Sequence, residues 1–499
     1  LYSPRPGSLG RVVAGASSGP GADAVFLVQG SRAVSRRELG HAAASFAARL
    51  AGEGVEAGDH VLLLAGNSPA WVGTFFGIVA AGAVPVLGNG WWTEHEVAHA
   101  LEVTDAVVAA VDARRRALVP GGFRSDDVTD DVDPMAPAPV PELTEPDEDA
   151  AAMVVFTSGT TSLPKAAVLS HRSVMANLHQ LLVRTGQLPG AEARPGGVHL
   201  CTLPLFHMSG IQTILLNLVA GGRLVFLDGR FDAGQVLQLI AGQSVTAWAA
   251  IPTMLVRVLE HPAVATTDTS SLRSVALGGA PVPAGLLAAA EAAFPSVRRR
   301  TGESYGSTEA GGTVATTTFD RESGTTGPRA FPTIDVVIDW PEADGRGEVL
   351  VRSAALMNGY LGVAAADQPI DEDGWLHTGD LGRIDEHGIL HITGRAKDLI
   401  IRGGENISPT AVEDAVRDHP SVLDVVVIGI SDSTWGEVVG AVVRFRDDRP
   451  APTDDELRTH AASRVARYAV PTRWFRTGEP FPLTDTGKVR RDEVRSTWT

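Results

Sequence analysis

The sequence predicts an α/β fold. A large N-terminal domain would hold two doubly wound sheet subdomains and a small antiparallel barrel-like subdomain, followed by a small mobile α+β domain. Three observations lead there. Short, wholly apolar runs alternate with helical segments from Val61 onward, the signature of parallel sheets covered on both faces. After about Pro341 the signals turn antiparallel. The last stretch, from about Asp398, then reads as strand, turn, helix, two strands and helix.

In order, HVLLLAG (60–66) reads as a buried strand. Ser68 as N-cap and Pro69 at the first helical position open a helix to about Ala81. VPVL (84–87) is the next strand, Thr93 with Glu96 forms a capping box, and DAVVAAV (105–111) follows. Residues 126–149, rich in Asp, Glu and Pro, read as an acidic linker that separates this first subdomain from the next unit. Alternation resumes with strand 153–157, a helix from about 171, strand 198–203, helix 209–219 and strand 223–227. Helix 232–241 and strands 245–249 and 274–278 complete it. GEVLVRS (347–353) and GILHITG (388–394) carry the antiparallel part. LII, a Gly-Gly turn, PTAVEDAVRDH, DVVVIGI, GAVVRF and DDELRTHAASRVA build the last unit. The division is 1–396 and 397–499.

Length and composition agree with this reading. A chain of 499 residues with 44% apolar and 20% charged residues is a globular protein of several folding units, not a disordered one. The longest apolar stretch, Phe75 to Leu87, is broken by Gly77, Gly82 and Pro85, so it reads as a core helix running into a strand and not as a membrane span. The first residues lack a signal peptide's basic and apolar regions, and a start at Leu1 suggests missing native residues. Cys201 is the sole cysteine, which excludes an intrachain disulfide and points to a reducing, cytoplasmic setting. A net charge of −17 argues against nucleic acid as a partner. Any polyanion must be held by local groups. Of 42 basic residues only three are lysines, Lys165, Lys397 and Lys488. No CxxC or HExxH metal cluster occurs.

One stretch invites an anion. VFTSGTTSLPKAAVLSH (155–171) leaves a strand, passes through small and hydroxylated residues and meets Lys165. Backbone N–H groups and hydroxyls in such a loop suit phosphate oxygens, although a Ser/Thr/Gly loop is also an ordinary solvated turn. It is not a Walker A loop, because Lys165 follows Pro164 and not glycine. Four further segments decide its meaning: YGSTE (305–309), HTGD (377–380) ending in a carboxylate on a tight turn, GRAKDLIIRGGENISP (394–409) and LTDTGKVRR (483–491). Together and in this order they identify the chain as resembling the adenylate-forming superfamily of acyl-CoA synthetases, aryl-CoA ligases, nonribosomal adenylation domains and luciferases, from about residue 20 to 495.

The resemblance implies a two-step ligase that uses ATP, Mg²⁺ and CoA. A carboxylate attacks the α-phosphate to give acyl-AMP and pyrophosphate, and a thiol then displaces AMP. It implies that Thr157, Ser158, Gly159, Thr160, Thr161 and Lys165 hold the β- and γ-phosphates. Thr308 would bond the α-phosphate, while Glu309, joined by Thr160, would bind Mg²⁺. Tyr305 would stack on adenine beside Gly279, Ala280 and Pro281, with Glu303, Ser304, Gly306 and Ile392 around the nucleotide. Asp380 would accept from the ribose hydroxyls, and Arg395 would reach the ribose or phosphate. Lys488 would be the catalytic lysine, a preorganised cation for the charge that builds at phosphorus and at the attacking oxygen.

The family also rotates its small domain between steps, with Lys397 at the hinge. Gly403, Gly404, Glu405, Trp435 and Tyr468 would then face CoA, glycine letting the pantetheine chain pass close to backbone; a plain hairpin turn at Gly403-Gly404 fits the same residues. PLFHMSG (204–210) matches the segment that gates the carboxylate, at His207, although a histidine after a strand is also an ordinary packed residue. Trp248, Ala249, Ile251, Thr253, Met254, Leu277, Gly278, Gly311 and Gly312 would wall the acyl pocket. Gly311 and Gly312 would leave volume, and Trp248 would close the far end. None of these is charged, so an apolar fatty, alicyclic or aryl acid fits better than an amino acid or dicarboxylate.

Two departures qualify the match. Ser162 and Ala166 replace glycines of the loop, and Ala469 stands where relatives often carry a lysine, which weakens free CoA against an acyl carrier protein as acceptor. The expected function is a carboxylic acid:CoA ligase. An acyl-AMP ligase loading a carrier protein, and a non-catalytic acyl-AMP binder, are the alternatives. Monomer and homodimer both fit the sequence.

Overall fold

The computed structural model describes residues 6–19, 21–128, 146–157, 163–187, 196–280, 282, 285–297, 301–319, 324–403, 405–484 and 489–499. Ser158, Gly159, Thr160, Thr161, Ser162, Pro281, Gly404 and Lys488 lie outside the described residues.

Two large sheets carry the first 360 residues or so, and they are built from interleaved chain segments. In the seven-stranded sheet, Val84–Leu87, His60–Leu64, Val108–Val111 and Ser125–Asp127 run parallel beside Ala151–Thr157. Antiparallel Lys165–Ser170 and Gly359–Tyr360 finish that sheet. In the nine-stranded sheet, Val25–Gln29, Arg223–Phe226, Val198–Cys201, Ala247–Ala250, Ser274–Gly278 and Thr301–Ser307 pair in parallel. Antiparallel strands flank both of its ends.

This corrects the expected subdomain boundary. Residues 126–149 do not separate two units: Ser125–Asp127 is a strand, and Ala151–Thr157 joins the same sheet as His60–Leu64. The hairpin Val25–Gln29 and Arg32–Ser35 belongs to the other sheet. Hydrophobic strands find partners by burial rather than by chain proximity, so a polar linker is no guide to which sheet follows it. One apolar cluster spans both sheets, through Trp71, Phe75 and Met153 on one side and Cys201, Leu224 and Phe226 on the other.

The local punctuation behaves as the sequence predicts. Ser68 caps the helix Pro69–Ala80 by accepting from Trp71 N–H, and the Thr93/Glu96 capping box is formed. Asp335–Asp339, Gly347–Arg352, Leu376–Ile384 and Leu390–Arg395 form a four-stranded antiparallel sheet. The last unit packs the helices Pro409–Arg417 and Asp454–Ala462 with a five-stranded sheet dominated by the long antiparallel pair Val422–Asp432 and Gly436–Phe445. Arg491 forks onto the buried carboxylate of Glu413, tying the final helix to that core. Among the described residues no helix is long and apolar enough to cross a membrane.

Candidate active site

Three strands from two sheets bring Tyr305, Asp380 and Arg395 together. Tyr305 lies within the strand Thr301–Ser307, Asp380 in Leu376–Ile384 and Arg395 at the end of Leu390–Arg395. Asp380 and Arg395 are register partners across an antiparallel pair, which explains their ion pair: Arg395 Nε lies 2.7 Å from Asp380 Oδ1. The Tyr305 hydroxyl donates to Asp380 Oδ2 at 2.8 Å. Burial, and then the Asp380 charge, push the Tyr305 phenol well above its usual range, so it stays a donor. Asp380 is only 6% exposed, and each of its oxygens already has a partner with lone pairs to spare for ribose hydroxyls.

Asp380 does not sit on a tight turn as the motif suggests. It stands inside a bulged strand, after Gly379 at φ +67°. Glu348 accepts from Gly379 N–H at 2.9 Å, and Thr378 Oγ1 accepts from Asp380 N–H at 3.0 Å. These bonds fix the carboxylate's approach. Glu303 pairs with Leu277, and burial raises its carboxyl's pKa while His391 nearby lowers it. Ser304 Oγ donates to the Leu277 carbonyl at 3.2 Å. Gly306 has a packing reason, since a Cβ there would fall 2.0 Å from the Gly312 carbonyl oxygen. Gly279 turns at φ +76° with Ile251 beneath it, and Ala280 follows. Ile392 is exposed on the strand beside Arg395.

The described residues expected at the phosphates gather around Tyr360, which the sequence does not single out. Thr157 and Lys165 are register partners at the mouth of a hairpin. Lys165 Nζ stands 5.2 Å from the centroid of the Tyr360 ring. The Tyr360 hydroxyl donates to Glu309 Oε1 at 2.5 Å. Thr308 and Glu309 occupy a turn closed by Gly311 N–H to the Thr308 carbonyl and pinned by Met357 N–H to the Glu309 carbonyl, both at 2.9 Å. Among the described residues no hydrogen bond reaches Glu309 Oε2, and no group of three His, Cys, Asp or Glu side chains could hold a metal alone. One carboxylate with a free oxygen fits Mg²⁺, which is commonly held by one or two carboxylates plus substrate phosphates.

The residues expected to wall an acyl pocket differ from expectation at four positions, Trp248, Leu277, Gly311 and Gly312. Trp248 and Leu277 face the cluster of Leu200, Val236, Leu255 and Val275, and Trp248, 1% exposed, donates its indole N–H to Thr202 Oγ1 at 3.0 Å. Strand alternation turns them away from the face shared by Ala249, Ala276 and Gly278, where Ala276 is exposed. Trp248 therefore closes no pocket on that face. Gly311 and Gly312 leave no volume either. At φ +75°, a Cβ on Gly311 would lie 1.8 Å from the Ala355 carbonyl oxygen, and one on Gly312, at φ +119°, would lie 2.3 Å from Gln212 Nε2. Gln212, Asn177 and Thr313 form an uncharged network behind them, with Gln212 Nε2 to Asn177 Oδ1 at 2.5 Å. His207 begins the helix Met208–Ala220 with its ring 4.5 Å from Phe206, and Ile251 begins the helix Pro252–Leu259, in which Thr253 and Met254 are half-buried.

On the small domain, Lys397 is exposed in a single 3₁₀ turn, Ala396–Asp398, between the two units. Gly403 turns at φ +60° beneath the Trp435 ring, before exposed Glu405. Ala469 is buried in the small domain's core. Arg402 nevertheless supplies a cation beside it, donating to the Tyr468 carbonyl at 2.6 Å and lying 5.5 Å over Trp435. Leu483 and Val489 bridge on either side of the segment that carries Lys488.

Comparisons with known proteins match the chain over most of its length. The model of the AMP-binding enzyme family matches residues 15–361, and that of the AMP-binding enzyme C-terminal domain matches 411–488. Feruloyl-CoA synthase of Amycolatopsis sp. is 34% identical over 494 residues, 95% of each chain. 4-Coumarate–CoA ligase 3 of Oryza sativa subsp. japonica is 30% identical over 92% of this chain and 86% of its own. The solved o-succinylbenzoate CoA synthetase of Bacillus subtilis, in complex with its acyl-adenylate intermediate, superposes with a TM-score of 0.82 at 28% identity, covering 97% of both chains.

Proposed function

The chain belongs to the AMP-binding enzyme family, and we propose that it is an ATP-dependent carboxylic acid:CoA ligase working through an acyl-adenylate. The carboxylate oxygen attacks the α-phosphorus and pyrophosphate leaves with the bonding pair. The thiol of CoA then attacks the acyl carbon, its proton goes to solvent, and AMP leaves. The observation that carries the reading is the convergence of Tyr305, Asp380 and Arg395 in one hydrogen-bonded corner that suits a nucleoside. In it, the Tyr305 ring takes the adenine, Asp380 accepts from the ribose hydroxyls and Arg395 balances the buried carboxylate. Thr308 holds the α-phosphate, and Lys165 with Thr157 and the following hydroxylated loop holds the leaving phosphates. Mg²⁺ on Glu309 would neutralise charge on the phosphate oxygens. Lys488, carried by the small domain, stabilises the pentavalent phosphorus, and rotation about Lys397 then exchanges it for the Gly403–Glu405 turn.

The acid in this reading is apolar and aryl, entering past His207 over Ala249, Ala276 and Gly278. The uncharged lining and the aryl acids named for the relatives support it. Arg402 beside Tyr468 supports free CoA as acceptor, since it replaces the cation that Ala469 cannot provide. A cytoplasmic setting belongs to this reading and is supported by the lone, unpaired Cys201. Pyrophosphate release with a panel of acids at saturating MgATP tests the ligase reading; silence with every acid overturns it. Adding CoA or a holo carrier protein to the active mixture identifies the acceptor by the thioester formed. Lys488→Ala is expected to cut adenylation by roughly 100-fold or more, while thioester formation from supplied acyl-AMP survives. Equal loss in both steps would refute the rotation.

A further inference from the structure

Tyr360 lies 51 residues from Glu309 in sequence, yet its phenol meets that carboxylate at 2.5 Å. Its backbone is held independently of the contact. Gln368 Oε1 accepts from Tyr360 N–H at 2.8 Å, and Gln368 Nε2 donates back to the Tyr360 carbonyl at 3.0 Å. On the other edge, Tyr360 pairs with Ala167, two residues after Lys165. The Lys165 ammonium stands over the ring, and Thr157 is the register partner of Lys165. One side chain therefore meets two charged groups from separate segments, the Glu309 carboxylate and the Lys165 ammonium.

We propose that Tyr360 is a positioning residue for the metal and phosphate groups of the adenylation step: its hydroxyl fixes Glu309 so that Oε2 points at the cation, and its ring places Lys165 for the leaving pyrophosphate. The inference rests on the ligase reading. A carboxylate on a turn rotates about two side-chain torsions, and a rigid donor on Oε1 selects one orientation before the nucleotide arrives. Gln368 acts one step further out, by locking the backbone from which the phenol projects.

The test is Tyr360→Phe, which keeps the ring under Lys165 and removes only the hydroxyl. Mn²⁺ binding in the presence of ATP, followed by electron paramagnetic resonance, is expected to weaken by about 10-fold, and half-saturating Mg²⁺ in ATP–pyrophosphate exchange to rise by a similar factor. Thioester formation from supplied acyl-AMP should stay within about twofold, because that step does not use the tail phosphates. In a Glu309→Gln background, Tyr360→Phe should add little, since a partner that acts through Glu309 has nothing left to orient. Unchanged Mn²⁺ affinity, equal loss in both half-reactions, or full additivity with Glu309→Gln would each overturn the assignment. If wild type releases no pyrophosphate with any acid, the ligase reading fails; Mn²⁺–ATP binding still decides the role of Tyr360 in that case.

Discussion

The Tyr305–Asp380–Arg395 corner, proposed for the ribose, and the Gly311–Gly312 wall, expected beside the acid, occupy the same large domain but are built on opposite principles. In the first, a carboxylate buried to 6% exposure is held by an arginine at 2.7 Å and a phenol at 2.8 Å, so position is set by charged hydrogen bonds. In the second, shape is set by what lies behind glycines: a carbonyl oxygen at Gly311 and an amide at Gly312. Charge-assisted bonds are directional and survive local adjustment, whereas a packed wall tolerates no added atom. Damage to the corner should therefore appear as lost nucleotide affinity. Damage to the wall should appear as lost stability or altered acid choice.

The largest expected effect breaks the corner. Asp380→Ala should lower kcat/KM for ATP by roughly 100-fold and leave the acid KM within about threefold. The wild type is expected to show a penalty for 2′-deoxy-ATP, and this variant should not, because the proposed ribose acceptor is gone. Comparable losses for both substrates would show that the corner is structural and not nucleotide-specific.

Gly311→Ala probes the wall. A forced positive φ and an overlap with the Ala355 carbonyl should cost about 2–4 kcal/mol of stability, read as a shifted denaturation midpoint. Gly121→Ala, with open space around its Cβ, should change stability by no more than about 0.5 kcal/mol. A stable Gly311→Ala enzyme with only a changed acid preference would restore the open-volume reading. A smaller effect is expected of Gln212→Leu, which removes the amide behind Gly312: acid KM values should move by up to about 10-fold while ATP constants hold.

The smallest test concerns Cys201, at the floor between the sheets. Burial pushes its thiol up to about 12, so the reactive thiolate forms only as pH approaches that value. Up to pH 9 the folded protein should react with a thiol reagent about a thousandfold more slowly than an ordinary thiol, and one equivalent should appear on unfolding. Fast labelling of the native protein would show that the floor opens.

The meeting of Tyr305, Asp380 and Arg395 was largely legible because the motifs that carry them are short and local. YGSTE, HTGD and GRAKD each place one chemically defined side chain by chain adjacency, and strand pairing then joins Asp380 to Arg395. Helix caps were equally legible, since Ser68 and Thr93 act within one turn. The acyl wall was not. A glycine in sequence does not say whether space or a backbone atom lies beyond it, and Trp248 could face either side of its strand until register fixed the alternation. The one usable signal was that alternation itself, with Trp248 and Leu277 carrying the bulk and Ala249, Ala276 and Gly278 the small residues.

By itself the sequence determined the order of helices and strands, and it supplied the side chains proposed to meet a nucleotide and an uncharged acid lining. Tertiary structure alone decided which segments share a sheet, with Val25–Gln29 joining one and Ala151–Thr157 the other. It alone brought the Tyr360 phenol to Glu309 and stacked Arg402 on Trp435. The physical reason is range: caps, motifs and periodicity act over a few residues, whereas sheet partners and packed surfaces are chosen by burial among segments far apart in the chain.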